Sequence, residues 1–267
     1  MRRQRQRAHT LVEALVALAL AAFVLAAAVA LYRTQRAAYG ASVDAARARD
    51  AAAVALTLVA QSVRMAGFVP LDARVAGFAP LFGCASGRVA GDAMRPACVA
   101  ETDGSDGLLM RYVGDAVSTW PTADGRATDC LGQGVGIAGD RPLIVNRYFV
   151  RSGRSAGGPE LYCEGSGRPG VAQPLVEGIE RLRLRYRLRG QAAWRDASAL
   201  SADAWREVVA IDVCVQVRGA APAPAARYLD CDGAEQRSRD GRRRWIARRW
   251  LSLRNAGPPV GMTGAEK

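Results

Sequence analysis

Histidine is nearly missing from this 267-residue chain: His9 is the only one. A histidine-based triad, general base or metal cluster is therefore excluded from everything downstream of the first ten residues. Lysine is equally scarce, with Lys267 alone against 36 arginines. That bias, together with heavy use of alanine and glycine, points to genome composition more than to a task. The six cysteines stand at 84, 98, 130, 163, 214 and 231, no two closer than 14 positions, so there is no C-x-x-C metal or redox motif. Charge is absent from Ala14 to Leu31, and from Tyr32 to Ala66 there is no proline and one glycine, Gly40. Aspartates and glutamates are scattered, with no pair placed for acid–base work.

The N-terminus holds the most specific signal. Arg2, Arg3, Arg5 and Arg7 crowd the start, then come Ala8, the run His9-Thr10-Leu11-Val12-Glu13, and the apolar stretch Ala14–Leu31. At about 1.5 Å per residue the apolar stretch spans about 27 Å, the thickness of a bilayer core. Glu13 sits at its rim, where a carboxylate costs roughly 2.5–3.5 kcal/mol on insertion scales. A plain anchor or secretion signal has no reason to carry that cost. The order resembles the N-terminus of type IV prepilins, in which a dedicated peptidase cuts before the first residue of the motif and the glutamate becomes the fifth mature residue. The resemblance places the cut between Ala8 and His9, with N-methylation on His9 and an assembly role on Glu13. Thr10, Leu11, Val12 and Glu13 fit the family; Ala8 and His9 stand where it usually has Gly and then Phe or Met. A secretory signal peptide is the competing reading, with Ala28-Val29-Ala30 as its site and cleavage before Leu31. A twin-arginine reading of Arg2-Arg3 lacks the flanking residues.

Beyond the apolar run, Ala52, Leu56, Val59, Val63 and Ala66 recur at helical spacing on one face, with Arg47, Arg49 and Asp50 off it. The pattern predicts one helix continuing to Ala66, about 85 Å from Thr10, bent if anywhere at Gly40 and stopped by Gly67 with Pro70 beyond. A cleaved signal peptide has no need of such a continuation. The expected layout is a leader at 1–8, a long helix at 9–66 (membrane-spanning at about 14–31), a periplasmic β-rich domain at 67–254 and a flexible tail at 255–267. Within the domain, 67–106 reads as loop. Leu108–Val113, Leu143–Val150, Leu161–Tyr162, Gly178–Leu188, Val208–Val217 and Trp245–Leu253 read as strands. Residues 114–142 and 151–159 read as connections. Ser201–Arg206 reads as a helical turn capped by Ser201 and anchored by Trp205. No internal repeat is visible. The fold class is α+β, a long N-terminal helix on a mainly antiparallel sheet domain.

An even cysteine count downstream of a membrane-targeting segment reads as disulfides formed in an oxidising compartment. Six cysteines allow fifteen pairings. Local closure costs least entropy, which favours Cys84–Cys98, Cys130–Cys163 and Cys214–Cys231, each adding roughly 3 kcal/mol in the chain-entropy model. The net charge is +12, and removing the leader's four arginines leaves +8. Such a charge attracts polyanions or acidic partner surfaces. Gly134-Val135-Gly136-Ile137-Ala138-Gly139 matches G-x-G-x-x-G, with Glu160 beyond, but lacks the strand before and helix after that a dinucleotide site needs.

Arg181, Arg183, Arg185, Arg187 and Arg189 alternate with Leu182, Leu184, Tyr186 and Leu188, so a strand puts five guanidiniums on one face and apolar groups on the other. Three readings stand: a solvated outer face, a docking face for an acidic neighbouring subunit, or a polyanion or DNA contact. Single-stranded DNA would want interleaved aromatics, and Tyr186 faces the other way.

Arg64-Met65-Ala66-Gly67-Phe68, Pro174-Leu175-Val176-Glu177-Gly178-Ile179-Glu180, the Trp205 turn into Val208–Val213, and Arg243-Arg244-Trp245 through Asn255 together resemble the PilW family of type IV minor pilins. The resemblance covers the helix and about the last 90 residues. It implies a structural protein without catalysis, metal or cofactor, which helps prime pilus assembly and enters the fibre near its tip. Its implied partners are other minor pilins, the major pilin, the prepilin peptidase, the inner-membrane assembly platform and membrane lipid. Its implied place is the inner membrane with a periplasmic domain, then the fibre. A J-type pseudopilin of type II secretion carries the same helix, and a periplasmic or secreted protein behind a signal peptide is the remaining alternative.

Overall fold

In the computed structural model of the chain, the described residues are 11–71, 73, 77–101, 104–115, 118–152 and 158–256. Helix α1 (Leu11–Met65) runs without interruption through Gly40. The chain divides into two compact units, residues 1–45 and 46–267, described separately below.

In the second unit the helix buries Ala48, Ala52, Ala55, Leu56, Val59, Ala60, Val63 and Ala66, a stripe at three- and four-residue spacing. Burying each valine or leucine contributes about 1.5–3 kcal/mol. Alanine at five of these eight positions keeps the helix slim against the strands. The helix stops where Gly67 takes a positive φ of 80°, and the chain is then tied off: the Gly67 N–H donates to the Arg111 carbonyl (2.8 Å). The Asn255 side chain donates to the carbonyls of Arg64 (3.2 Å) and Ala66 (3.3 Å). These are two of the last helical carbonyls, which have no partner inside the helix. Asn255 and Ala256 are thus part of the packed domain.

The first sheet is built from β1 (Leu81–Cys84), then a hairpin of β2 (Gly87–Gly91) and β3 (Pro96–Ala100), then β4 (Gly107–Val113). A second, minimal hairpin of β5 (Ala127–Thr128) and β6 (Gly134–Val135) precedes β7 (Leu143–Ser152), β8 (Pro159–Gly165) and β9 (Ala172–Glu177). The sheet order is β1-β4-β7-β8-β9, antiparallel throughout. The stretch 67–106 therefore holds three strands where loop was expected, and 114–142 holds a hairpin. These strands are short and glycine-rich, with no period long enough to read. β9 carries Pro174 and lies at the sheet edge, where proline is tolerated.

Gly178, at φ 81°, turns the chain into a second sheet. It comprises β10 (Ile179–Leu188), β11 (Trp194–Arg195), β12 (Val208–Pro222) and β15 (Arg242–Ser252), ordered β11-β10-β12-β15. The hairpin β13 (Arg227–Leu229) and β14 (Glu235–Arg237) lies between the last two in sequence. β10 alternates as its sequence indicates, whereas β12, in the middle of the sheet, is buried at nearly every position from Val208 to Val217. Leu182, Leu184, Tyr186, Ile211, Val213 and Val215 join the helix stripe and the first sheet in one core. Trp205 is buried in a short 3-10 turn (Ala204–Glu207), its ring edge-on to Tyr186 at 4.8 Å and 5.1 Å from Phe82. The Ala204 N–H reaches the Ser201 hydroxyl at 3.4 Å. Only glycine fits at position 83, because the Tyr186 hydroxyl occupies the place of a side chain.

Three disulfides, Cys84–Cys98, Cys130–Cys163 and Cys214–Cys231, pin one hairpin each. These are the three local pairs that closure entropy favours, and no free cysteine remains.

Candidate assembly surfaces

The first surface is the helix from Leu11 to Ala45. It holds an 18-residue window with a mean hydropathy of 2.8, none of it buried. By length and composition it can cross a membrane. Glu13 lies in its first turn, where a carboxylate also meets the positive end of the helix dipole. Ala8 and His9, the expected cleavage and methylation residues, lie outside the described residues.

The second surface is the outer face of the second sheet. Pairing of β10 with β12 sets Arg181 beside Gln216, Arg183 beside Cys214, Arg185 beside Asp212 and Arg187 beside Ala210. Cys214 therefore shares the arginine face, and its bridge draws the turn Asp230-Cys231-Asp232 down onto it. Asp232 then accepts from three guanidiniums at once: Arg183 (2.8 Å), Arg181 (3.2 Å) and Arg185 (3.2 Å). Arg183 also meets Asp196 (3.1 Å) and Asp106 (3.2 Å), and only 15% of its side chain is exposed. Arg248 pairs with Asp212 (3.2 Å) and donates to the Cys231 carbonyl.

Asp106 is the inner anchor of this cluster. One carboxylate oxygen takes the Ser86 N–H (2.9 Å), the other the Leu184 N–H (2.8 Å). Ser105 takes the Leu182 N–H (2.9 Å). The two residues thus replace a missing strand along β10 and join the sheets. Burial pushes the Asp106 carboxyl above its usual range, against the pull of these donors and of Arg183.

The remaining two arginines of the stripe differ. Arg189 pairs loosely with Glu207 (3.4 Å) and donates to the Ala256 carbonyl. Arg187 lies over the Trp194 ring at 5.2 Å. Trp194, on β11, meets Trp250, on β15, with centroids 6.2 Å apart. The two rings come from strands at opposite edges of the sheet, and Trp250 remains 70% exposed.

The stripe is thus neither a bare solvated face nor an open basic one. Across it, Arg181, Arg183, Arg185, Arg187 and Arg248 are matched in number by Asp106, Asp196, Asp212, Asp230 and Asp232. Sequence reasoning saw the arginines and missed their carboxylates and the two tryptophans, which arrive from five separate segments. The one local hint was Asp230 and Asp232 flanking a cysteine. The G-x-G-x-x-G segment lies in the β5–β6 hairpin and the turn after it, with Gly136 and Gly139 at positive φ and no helix following.

Residues 147–255 match the family model described as Type IV Pilus-assembly protein W, and residues 3–29 match the prokaryotic N-terminal methylation motif. A PilW domain behind a prepilin methylation motif makes the chain a type IV minor pilin. The first match runs from within β7 to Asn255, so it takes in the whole arginine–aspartate sheet and the residue that seals the helix. The second contains Glu13. The pilin is also similar to a solved structure, a type IV-like pilin from Thermus thermophilus, at 16% identity and a TM-score of 0.43, over 78% of this chain and 97% of that one. Comparison with curated proteins gives no match. Pilins are structural rather than catalytic, and among the described residues no group of three or more His, Cys, Asp or Glu is placed to hold a metal ion.

One ion-pair cluster gives the pilin a measurable acid response. Asp240 accepts from Arg244 (2.6 Å) and Arg218 (2.9 Å). The Arg244 hydrogen bonds hold its carboxyl at about 2, against an ordinary 3.8. A carboxylate lowered by folding stabilises the native state above its unfolded pKa, and that contribution is lost as pH falls through the folded value. Between about pH 4 and pH 2 the wild-type pilin is therefore expected to lose more thermal stability than Asp240→Asn. Equal losses in parallel melting scans would show that the pair contributes nothing.

Proposed function

We propose that this minor pilin helps to prime assembly of type IV pili and is carried into the fibre near its tip. Before assembly it is held in the inner membrane by the Leu11–Ala45 helix, with the sheet domain in the periplasm. The reading rests on one observation: the methylation motif covers the apolar start of a single long helix, which carries Glu13, and the PilW match lies in the domain that follows it. A prepilin peptidase removes residues 1–8, and His9 becomes the new amino terminus. Among stacked helices the Glu13 carboxylate loses water. It is then tolerated only opposite a cation, here the terminal amine of an adjacent subunit, and only in the right register. The assembly platform and membrane lipid handle the helix; other minor pilins and the major pilin meet the domain.

The docking site on the domain is the Trp194–Trp250 pair with Arg187, in place of the arginine stripe as a whole. Interface anchors are enriched in Trp and Arg ringed by near-neutral contacts, and the matched charges beside Trp250 supply that ring. Trp250→Ala is expected to weaken co-purification with partner minor pilins about tenfold or more, leaving the melting temperature nearly unchanged. Arg183→Gln is expected to lower the melting temperature while its co-purification persists. The opposite pattern would return docking to the arginines.

The mature protein tests the wider reading. Mass spectrometry should find an N-terminus at methylated His9, and labelled protein should lie at one end of sheared fibres. A start at Leu31, or label absent from fibres, would overturn it.

A further inference from the structure

Two turns in this chain are the same structure. In Asp129-Cys130-Leu131-Gly132-Gln133, the Asp129 Oδ1 accepts the N–H of Leu131 (2.9 Å) and of Gln133 (3.1 Å). In Asp230-Cys231-Asp232-Gly233-Ala234, the Asp230 Oδ1 accepts the N–H of Asp232 (2.9 Å) and of Ala234 (3.0 Å). The backbone bonds repeat as well: Asp129 N–H to Gln133 and Gly132 N–H to Asp129, then Asp230 N–H to Ala234 and Gly233 N–H to Asp230. The glycines sit at φ 69° and 81°, which other residues rarely adopt. Each turn closes a hairpin of two or three residues per strand, β5–β6 or β13–β14.

The second carboxylate oxygen has a different task in both. The Asp129 Oδ2 accepts the Gly167 N–H (2.7 Å) and fills the space beside Gly165, two residues past Cys163. The Asp230 Oδ2 accepts from the Gln236 side chain (3.2 Å), within its own hairpin, and lies 4.0 Å from Arg181, on the strand adjoining Cys214's. In both, one oxygen shapes the turn; the other docks the Asp129 turn beside the strand that holds Cys163 and braces the Asp230 hairpin from within. Both aspartates are buried, at 7% and 8% exposure. The remaining bridge, Cys84–Cys98, has no such turn; it joins the end of β1 to β3 across the β2–β3 hairpin.

We propose that Asp129 and Asp230 are positioning residues for oxidation, which form the turns in the reduced chain and present Cys130 to Cys163 and Cys231 to Cys214. The chemistry is ordinary thiol–disulfide exchange with an oxidant of the disulfide class. One cysteine thiolate attacks the oxidant, the second displaces it from the mixed disulfide, and the oxidant leaves as two thiols carrying the electrons and protons of the pair. The aspartates exchange no proton in this; they fix geometry. Guidance matters most for Cys130–Cys163, whose 33-residue separation makes its loop the costliest to close.

The test is oxidative refolding of the full reduced chain in detergent, with glutathione disulfide and glutathione, acid-quenched and mapped by peptide mass. Asp129→Ala should slow and reduce Cys130–Cys163 formation about fivefold, the change in turn population for about 1 kcal/mol of lost hydrogen bonding, with mispaired forms in its place. Asp230→Ala should do the same for Cys214–Cys231. Asp129→Asn and Asp230→Asn keep the turn acceptor and should restore most of the yield, and Cys84–Cys98 should form normally throughout. Wild-type pairing rates in both alanine variants, with only a lower melting temperature once oxidised, would overturn the proposal. So would equal loss of all three bridges.

Discussion

Glu13→Ala is expected to remain in the membrane and to disappear from the fibre. Removing the carboxylate makes the helix more apolar, by up to roughly 2.5–3.5 kcal/mol on insertion scales, so anchoring is unaffected or improved. Assembly is another matter. In a helix bundle the glutamate and a neighbouring terminal amine are both desolvated, and breaking such a pair costs about 3–5 kcal/mol. The amine left behind then penalises every register equally, and the preference for one axial position is lost. Incorporation into sheared fibres should fall by about tenfold or more, since each 1.4 kcal/mol is tenfold, at unchanged membrane content. Glu13→Gln separates charge from size: it should fail as the alanine does. Wild-type amounts of either variant in fibres would remove Glu13 from any role in register.

The largest effect on stability is expected from the bridge that holds the acidic turn. Cys214→Ser with Cys231→Ser frees a 17-residue separation, worth about 3 kcal/mol in the chain-entropy model. It also lets Asp230 and Asp232 leave Arg181, Arg183 and Arg185. Arg183 is the least exposed of the three and loses its shortest ion pair, 2.8 Å to Asp232. Together these should cost about 3–5 kcal/mol and lower the melting temperature by about 10 °C. The two contributions share one turn and so should not add. Asp232→Asn should be costly in the bridged protein and cheap in the serine double variant. If Asp232→Asn costs the same in both, the bridge does not position the carboxylate. A total loss below about 1 kcal/mol would mean that the turn holds itself.

The sequence shows best what a period can carry. Leu56, Val59 and Val63 mark a helix face, and Leu182, Leu184 and Tyr186 mark a strand face, because burial repeats there at 3.6 or 2 residues. Gly67 marks the helix end for a local steric reason. What escapes is whatever depends on distant segments meeting. Arg183 is plain in the sequence, yet its environment is set by residues at 106, 196 and 232. Trp194 and Trp250 meet only because β11 and β15, far apart in sequence, become the two edges of one four-stranded sheet. Leu161–Tyr162 grows into the full β8 because β7 and β9 supply partners on both sides. Asp-Cys-x-Gly is written twice in the open, but four residues are too few to register as a repeat until both turns are seen to bond alike.

The foot of the helix has a mechanical meaning. A fibre works under tension, and a subunit must pass force from its helix to its domain without shedding either. Here the helix does not hand its load to a single connecting strand. The Gly67 N–H holds the Arg111 carbonyl and the Val113 N–H holds the Phe68 carbonyl, both on β4, while Asn255, just past β15, grips the carbonyls of Arg64 and Ala66. A pull on α1 is therefore divided between two sheets, one reached through the start of the domain and one through its end.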